Sequence, residues 1–566
     1  MGIIDYPFDS SAILGKKKSL RRQLLQQEHL LSKRIAIVSG STIGVIKDIL
    51  ELFLLNSGIK PLFYEGQYNL FYEDIMFENH ELSDFNPDLI YIHTTSRNLS
   101  DESLFDKLHS MWERIKEQFK CSVIQNNFDL PASASDEERS NVMRLNIQID
   151  DYARRTNHFY VNDIHFVSAN YGLSSWHSEQ DYFLYKYAFS ITAIPYYCHQ
   201  VAKIIKSLYG KSQKCLVLDL DNTLWGGIVG EVGVEGIQLG MESALGEAYI
   251  SFQKYVKYLH SRGIVLAVSS KNNEAVAKSA FNHPNMVLCL EDISVFCAGW
   301  GNKAETLVSI ANQLNILPES MVFVDDNPAE RELIKQAMPD VKVLESNDVV
   351  EFIRLIEEAG YFYTTSITQD DIQRNKYYAA DVQRTKTQEQ FIDYSTYLTS
   401  LQMTSEIKNF SPVHLDRIAQ LINKTNQFNL TTQRYSLSEI SKMMTNARFL
   451  TLYGTLNDKF GSNGIVSALV GEFDGNVLHI RLWVMSCRVF KRDMEYAMFD
   501  KVVQEAKRVG VKEIKGYYFP TSKNKIVSDL YLILGFVQVD GNDLGNTAWT
   551  LLVNAYVDKC NVIDVK

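Results

Sequence analysis

At 566 residues the chain is too long for one hydrophobic core, and its length predicts three or four domains. Its 46% hydrophobic content is that of an ordinary globular protein, and its net charge of −11 argues against nucleic acid as a partner. The seven cysteines include no CxxC pair, which argues against a disulfide framework or zinc site and predicts a reducing compartment. No apolar run could span a bilayer, and the basic start is not followed by the apolar stretch of a signal peptide. We therefore expect a cytoplasmic protein with no membrane partner.

The first part of the chain is predicted to be an N-terminal arm, residues 1–30, followed by an α/β domain over residues 31–208. Strand signals at 34–38 and 89–92 alternate with helix signals such as 43–55. This alternation is typical of a parallel sheet with crossover helices.

Two polar residues in this domain follow predicted strands. Ser41 follows the first strand, and Asn98 follows a later one. Their positions faintly resemble the SGNH hydrolases, but the DxxH block of that family is missing, since Asp181 has no histidine three residues later. A functional serine hydrolase and a degenerate scaffold or docking domain are the two interpretations. The missing block favours the second, so we expect no independent esterase activity.

The most informative stretch is the apolar run Cys215-Leu-Val-Leu, which leads directly into Asp219-Leu-Asp221. Alternate residues of a strand lie on one side, so both carboxylates can converge at the carboxyl end of this strand. Paired carboxylates repel unless a hard cation such as Mg²⁺ lies between them. A strand followed by an Asx turn is the structural alternative for an isolated DxD pattern.

Three further motifs follow in order along the chain. Ser270 and Lys271 end a predicted strand, Lys303 opens a predicted helix, and Asp325-Asp326 follow a third apolar run. Together with the DxDxT pattern, these motifs resemble the haloacid-dehalogenase superfamily. Residues 209–362 are therefore expected to form a phosphatase-like core.

This resemblance implies a role for each residue. Asp219 is the expected nucleophile, forming an aspartyl-phosphate, and Asp221 the expected general acid and base. Lys303 would spread the transition-state charge. The expected phosphate-binding residues are Thr223, Ser270, Lys271 and Lys303. The expected Mg²⁺ ligands are Asp219, Asp221, Asp325 and Asp326. Without a cation these acids would repel an anionic substrate, which predicts metal dependence.

The C-terminal part is predicted to be a helical connector, residues 363–402, and an α+β domain over residues 403–566. The run Asn524 to Phe536 resembles a late helix of the GNAT acyltransferase fold. The RxxGxG loop of that family is replaced by Arg488-Val-Phe-Lys491, which lacks both glycines. Side chains would crowd the backbone amides that should approach a pyrophosphate, so this departure argues against the family's usual mode of coenzyme A binding.

Cys487 lies at the end of a predicted strand of this last domain. It is either a small buried residue or a thiolate favoured by the nearby cations Arg488, Lys491 and Arg492. Lys491 and Arg492 could also meet a phosphopantetheine phosphate or an acidic carrier protein.

Three longer sequence segments narrow the resemblance to a single family. The segments 225–237, 270–273 and 458–465 together resemble the FkbH family, whose phosphatase-like core is flanked by SGNH-like and GNAT-like parts. The resemblance implies transfer of a glyceryl unit from 1,3-bisphosphoglycerate to an acyl carrier protein that carries phosphopantetheine. It also implies that Cys487 is the thiol that holds the acyl group.

Three hypotheses for function follow. The first is a Mg²⁺-dependent glyceryl transferase that also removes phosphate. The second is a plain Mg²⁺-dependent phosphatase acting on a phosphorylated sugar or small acid, with flanking domains for recognition. The third is a non-enzymatic scaffold that docks a carrier protein, which the intact set of acids disfavours.

Overall fold

The structure, a computed structural model, describes residues 2–27, 30–99, 103–131, 133–365, 369–388, 390–521, 523–543 and 545–566. The chain folds as two compact units. The first spans residues 1–211 with the short segments 363–365 and 436–438, and the second spans residues 212–362, 366–435 and 439–566. No helix in the described ranges is both long enough and apolar enough to cross a membrane.

The first unit contains a five-stranded parallel sheet in the order β2-β1-β3-β4-β5. Its strands are β1 (Leu31–Ser39), β2 (Ile59–Glu65), β3 (Leu89–His93), β4 (Ser122–Asn126) and β5 (Phe159–Asn162). Its helices are α1 (Ser10–Leu24), α2 (Gly44–Asn56), α3 (Phe71–Met76), α4 (His80–Phe85), α5 (Leu104–Gln118), α6 (Asp136–Arg155), α7 (Ile164–Tyr171), α8 (Leu173–Trp176), α9 (Glu179–Tyr185) and α10 (Ile194–Leu208).

Helix α1 lies in the region predicted to be an N-terminal arm. Its residues Ile13 and Leu20 are buried in the same hydrophobic core as α2 and α10. Arg21 also forms a two-pronged ion pair with Glu51 of α2, at 2.7 and 3.0 Å. The arm is therefore integrated into the first unit.

The second unit begins with another parallel sheet, in the order β10-β9-β6-β7-β8. Its strands are β6 (Cys215–Leu218), β7 (Val265–Ser270), β8 (Ile293–Ala298), β9 (Met321–Val324) and β10 (Lys342–Val343). Its helices are α11 (Val229–Val232), α12 (Ala244–Ser261), α13 (Glu274–Ser279), α14 (Lys303–Gln313), α15 (Pro328–Ala337) and α16 (Val349–Ala359). The central strand β6 is fully buried, as its continuous apolar run requires when helices cover both faces.

The connector consists of α17 (Gln369–Gln388) and α18 (Tyr394–Ser400). Tyr378 of α17 packs into the core beneath the β6 sheet. Arg384 of the same helix forms an ion pair with Asp458 of the last domain, at 2.9 Å. Helix α17 is therefore attached to both parts of the second unit.

The last domain forms a mixed sheet in the order β18-β19-β17-β16-β15-β14-β11-β20, with β12 paired to β14 and β13 to β16. Its strands are β11 (Met403–Ser405), β12 (Ile407–Asn409), β13 (Phe428–Asn429), β14 (Phe449–Asp458), β15 (Gly461–Asp474), β16 (Val477–Met485), β17 (Glu513–Tyr518), β18 (Val537–Gly541), β19 (Thr547–Leu552) and β20 (Ile563–Val565). Its helices are α19 (Leu415–Lys424), α20 (Leu437–Thr445), α21 (Met494–Arg508) and α22 (Leu530–Leu534). The strands β16 and β17 pair in parallel. The predicted fold class, multidomain α/β with parallel sheets, is confirmed.

Candidate functional site

An acidic cluster lies at the carboxyl edge of the β6 sheet. Asp219 follows β6, and Asp325 and Asp326 follow the neighbouring strand β9. One carboxylate oxygen from each lies within 4.8 Å of the others. Asp219 and Asp325 are only 8% and 0% exposed, so their charges lie in a largely water-excluded place. The topology of a parallel sheet brings these acids together, as the sequence motifs predicted.

Lys303 is the cation within this cluster. Its position at the start of α14 places the ammonium group in an ion pair with Asp325 and 3.1 Å from Asp219 Oδ1. The lysine is itself 3% exposed. Burial lowers its pKa, but the two neighbouring carboxylates outweigh burial and raise the pKa above the ordinary value. Lys303 is therefore held as a cation.

Burial and mutual repulsion destabilise the charged forms of the carboxylates in the acidic cluster. Burial is the main cause that raises the pKa of Asp219 to about 6, with Lys303 opposing and Asp325 adding to the increase. Burial and the charge of Asp325 likewise raise the pKa of Asp326. One lysine therefore does not compensate three close carboxylates.

Asp221 is placed differently from the other acids. Its Oδ1 accepts hydrogen bonds from Trp225 Nε1 at 2.9 Å and from the Val229 backbone N–H at 3.0 Å. Its Oδ2 accepts from Asn272 Nδ2 at 2.8 Å. Asp221 is not among the three carboxylates that converge within 4.8 Å of one another, and its predicted role as a metal ligand stays a prediction. It lies two residues from Asp219, and these three hydrogen bonds fix its orientation.

The predicted phosphate-binding residues fall into two groups. Ser270 is 5% exposed and forms a side-chain hydrogen bond with Asp219, so it lies in the site. Thr223 is fully buried, and its hydroxyl accepts from the Asp326 backbone N–H at 3.2 Å. Thr223 therefore helps to position the acidic cluster, and its predicted contact with phosphate stays a prediction. Lys271 is more exposed and forms an ion pair with Glu330 at 2.5 Å.

Two site residues carry roles that sequence reasoning missed. Asn272 donates to Asp221 and also to Ser270 Oγ at 3.2 Å, which links the acid to the predicted phosphate site. Arg331 donates to the backbone carbonyls of Asp325 and Asp326, both at 2.8 Å. A signal for Asn272 was its place two residues after Ser270, whereas nothing local to the sequence indicated Arg331.

The acidic cluster fits a hard divalent cation. All of its donors are carboxylate oxygens, the ligands that Mg²⁺ prefers, and they already converge. Asp219 Oδ1 is buried without a well-directed hydrogen bond, and the charges in the cluster sum to a negative value. Asp219, Asp325 and Asp326 are the residues that would hold the ion.

Cys487 lies far from these acids, in the turn after β16. It borders a cavity of about 150 Å³ between the sheet of β6, α17 and the last domain. The cavity, hereafter the cationic cavity, is lined by five basic residues and one acidic residue, which are Lys214, Arg374, Arg417, Lys424, Arg488 and Asp371. Asn315 Nδ2 fixes the turn by donating to the Cys487 carbonyl at 2.7 Å.

The cations that act on the Cys487 thiol are only partly the ones that the sequence indicated. Burial raises the pKa of the Cys487 thiol, and Lys214 and Arg488 partly offset that rise. Arg492 instead forms ion pairs with Asp381 at 2.5 Å and with Asp458 at 3.3 Å. Arg488 was predicted as a partner of the thiol, whereas Lys214 precedes β6 and is distant in the chain.

The first unit holds a buried polar network around Ser41. Ser41 Oγ lies 2.8 Å from His93 Nε2, and His93 Nδ1 lies 2.5 Å from the Tyr197 hydroxyl. Ser41 is 2% exposed and His93 is 0% exposed. Asn98 Nδ2 donates to the Gly40 carbonyl at 3.0 Å. The serine therefore has a histidine neighbour that comes from β3, where sequence reasoning did not look.

One solved structure relates this chain to a family. It is the N-terminal part of the protein BF1531 from Bacteroides fragilis, which contains a phosphatase domain and was crystallised with Mg. The match has 30% sequence identity and a TM-score of 0.57, and it covers 62% of this chain and 99% of that one. This chain belongs to the same family as BF1531. The match indicates an enzyme with a phosphatase domain.

Other similarities are weaker. The ribosomal-protein-S18-alanine N-acetyltransferase from Escherichia coli matches at 11% identity and a TM-score of 0.22, covering 28% of this chain and 99% of that chain. The PaiA N-acetyltransferase from Thermoplasma acidophilum, solved with coenzyme A, matches at 15% identity and a TM-score of 0.21, covering 26% and 99%. These values are too low to relate functions. No family model and no curated protein matches the chain.

Proposed function

We propose that this protein is a Mg²⁺-dependent phosphatase and glyceryl transferase of the FkbH family. It would take 1,3-bisphosphoglycerate as donor and load the glyceryl group as a thioester on an acyl carrier protein in the cytoplasm. The observation that carries the phosphatase part is the buried acidic cluster with Lys303, in a family whose member BF1531 was crystallised with Mg. The transferase part is supported by Cys487 beside the cationic cavity.

The phosphatase chemistry uses this chain's own groups in order. Asp219 attacks phosphorus and the phosphorus–oxygen bond of the ester breaks, which leaves an aspartyl-phosphate. Asp221 gives a proton to the leaving oxygen. It later takes one from a water that attacks phosphorus, which breaks the bond to Asp219 and releases inorganic phosphate. Lys303 and Ser270 hold the phosphoryl oxygens. Mg²⁺, when bound by the acidic cluster, neutralises charge on the phosphoryl group.

The transfer chemistry would occur at Cys487. Its sulfur attacks the carbonyl carbon of the acyl phosphate. A carbon–sulfur bond forms, the bond from that carbon to the phosphate oxygen breaks, and inorganic phosphate leaves with the thiol proton. The thiol of the phosphopantetheine arm then displaces Cys487 sulfur by thioester exchange. Neither step needs ATP, because an acyl phosphate is already activated.

The two sites lie at opposite edges of one sheet. Lys214 of the cationic cavity precedes β6, and Asp219 follows it. Five residue steps of extended chain separate them by about 17 Å. Phosphate removal and acyl capture are therefore separate events that can be blocked one at a time.

The phosphatase assignment is tested by Asp219→Asn, which keeps the shape of the nucleophile and removes its charge. We expect Mg²⁺-dependent phosphate release from a phosphorylated three-carbon acid to be abolished. Asp340→Asn, at an exposed carboxylate of the same core, is the matched control and should release phosphate normally. Near-normal turnover by a folded Asp219→Asn protein would refute the assignment.

The transferase assignment is tested by intact-mass spectrometry after mixing the chain with 1,3-bisphosphoglycerate. We expect a covalent adduct that peptide mapping locates on Cys487 and that Cys487→Ser prevents. The same variant should keep the Mg²⁺-dependent release of phosphate from the ester of a phosphorylated three-carbon acid. Phosphate release with no adduct would favour the alternative, a plain Mg²⁺-dependent phosphatase. The intact acidic cluster, which does not depend on Cys487, is the observation that supports that alternative.

A further inference from the structure

The cationic cavity has an unusual balance of charge for an interior space. Five basic residues and one acid line about 150 Å³, so the lining carries a strong excess of positive charge. Arg374 is compensated locally by its ion pair with Asp371. Lys214 and Lys424 form no ion pair among the residues that the structure describes.

The two lysines are only partly compensated by acidic residues, because Asp371 acts on both but does not outweigh burial. Burial lowers the pKa of Lys214, and burial lowers the pKa of Lys424 to about 8. A half-buried cation with an incomplete counter-charge is costly, and cations in such places are normally paired. An anion in the cavity would supply the missing charge.

Two further side chains point to a ligand that also carries hydroxyl groups. The Gln420 Oε1 atom in the lining is buried without a hydrogen-bond donor among the described residues. Arg488 is held in place by stacking on Tyr377, with 4.2 Å between the guanidinium carbon and the ring centroid. Its Nε donates to Ser486 Oγ at 3.1 Å, which leaves the terminal nitrogens to meet an acceptor.

The volume limits the size of the ligand. The cavity volume is about 150 Å³, and one water molecule needs about 10–15 Å³ of it. The cavity therefore holds on the order of ten non-hydrogen atoms. A phosphorylated three-carbon acid is of that size. A complete phosphopantetheine arm is much larger.

We propose that the cationic cavity binds the phosphate ester of a small phosphorylated acid and thereby holds its carbonyl carbon beside Cys487. The identity of the acid rests on the proposed function, whereas the anion site itself does not. Lys424 and Lys214 would pair with the phosphate oxygens, and Gln420 with a hydroxyl group. The substrate would thus be recognised by a phosphate that does not react at this site.

The test is protection of Cys487 from alkylation by iodoacetamide, followed site by site with peptide mapping. The full chain is labelled without Mg²⁺ in the presence of 3-phosphoglycerate, a stable probe that cannot acylate the thiol. We expect concentration-dependent protection of Cys487, none with glycerate, and the same protection in Asp219→Asn. Because the readout is local to Cys487, binding of the probe at the acidic cluster does not interfere.

Variants of Lys424 separate charge recognition from a general effect. Lys424→Met should weaken protection by about tenfold or more, as expected for loss of one charge-assisted hydrogen bond, and Lys424→Arg should restore part of it. Lys442→Met, at an exposed lysine of the same domain, is the matched control and should protect like the unaltered chain.

Three outcomes would overturn the proposal. They are equal protection by glycerate, unchanged protection in Lys424→Met, and protection by 4′-phosphopantetheine but not by 3-phosphoglycerate. The last would assign the phosphate to the carrier's prosthetic group. Protection without any acyl adduct from 1,3-bisphosphoglycerate would keep the anion site and refute only the transferase, so the two failures are distinguishable.

Discussion

Lys303 is the residue on which the charge balance of the acidic cluster depends. Its ammonium group pairs with Asp325 and Asp219, and the same group would meet a phosphoryl oxygen. We expect Lys303→Met to lower phosphate release by about 10²-fold, the usual scale for loss of one oriented charge-stabilising group. Lys254→Met, at an exposed lysine of the same core, should have no effect.

Steady-state kinetics with and without saturating Mg²⁺ measure this effect. Thermal unfolding of both variants checks that the loss is not due to unfolding. Unchanged kinetics for a folded Lys303→Met protein would contradict the role given to Lys303.

Glu495, in the first turn of α21, makes stability depend on pH. Burial raises its pKa to about 7 from the ordinary 4.5, and its Oε2 has no hydrogen-bond partner among the described residues. Between these two values the folded chain binds more protons than the unfolded chain, so stability falls as pH rises from about 4.5 to about 7. Above pH 7 the penalty is constant.

Glu495→Gln should therefore stabilise the chain at pH 8, by on the order of 2 kcal/mol, and have little effect at pH 4.5. Thermal unfolding of the full chain at the two pH values measures the difference. Glu235→Gln, at an exposed glutamate, should have the same unfolding temperature as the unaltered chain at both pH values. A larger gain at the lower pH would contradict the raised pKa.

At the scale of residues, the sequence predicts which residues follow strands but not the direction in which each side chain points. Asp219, Asp325 and Lys303 come together because strands β6 and β9 and the start of α14 meet at one edge. Asp221 is oriented by Trp225 and by Asn272, and those contacts exist only after folding.

At the scale of elements, β1 and β3 place Ser41 against His93. The pair has the spacing of a nucleophile and its base, but both residues are almost completely buried. Burial lowers the pKa of His93 to about 3, so the imidazole stays neutral at physiological pH. An ester carbonyl cannot reach Ser41 in this arrangement.

We therefore expect the full chain to hydrolyse p-nitrophenyl acetate no faster than its Ser41→Ala variant. Release of p-nitrophenol by the two proteins at equal concentration measures this. Hydrolysis that depends on both Ser41 and His93 would show that the network opens and that the first unit is an active hydrolase.

The helices with a regular spacing of apolar residues agree best with the bounds predicted from the sequence. The helix predicted over 43–55 corresponds to α2 (Gly44–Asn56), with a shift of one residue at each end. The run Asn524 to Phe536, which resembles a single late helix, is instead a short turn at Lys525–Val527 followed by α22. Asn524 uses its side chain to accept from the Thr521 N–H and to donate to the Asn429 carbonyl, which fixes a non-helical start.

At the scale of the whole molecule, the sequence predicts the core and the last domain but not the cavity that forms between them within the second unit. The cationic cavity takes Lys214 from before β6, Arg374 from α17 and Arg488 from after β16. These segments are far apart in the chain. The sequence around each basic residue, taken alone, predicts only a solvent-exposed charge. Only the packing of the last domain on the core turns them into one surface.

The length of β6, four residues, also restricts the order of steps in the proposed reaction. A phosphorylated glyceryl group anchored on Cys487 spans only about six bonds, well short of the strand's length, so it cannot touch Asp219 of the same chain. Its phosphate ester must leave before capture or after hand-over to the carrier. If an adduct is formed without Mg²⁺ at low protein concentration and Mg²⁺ is then added, its mass should not change until holo carrier protein is supplied. Loss of phosphate from the anchored adduct on adding Mg²⁺ alone would mean that the sheet is not the barrier between the two sites.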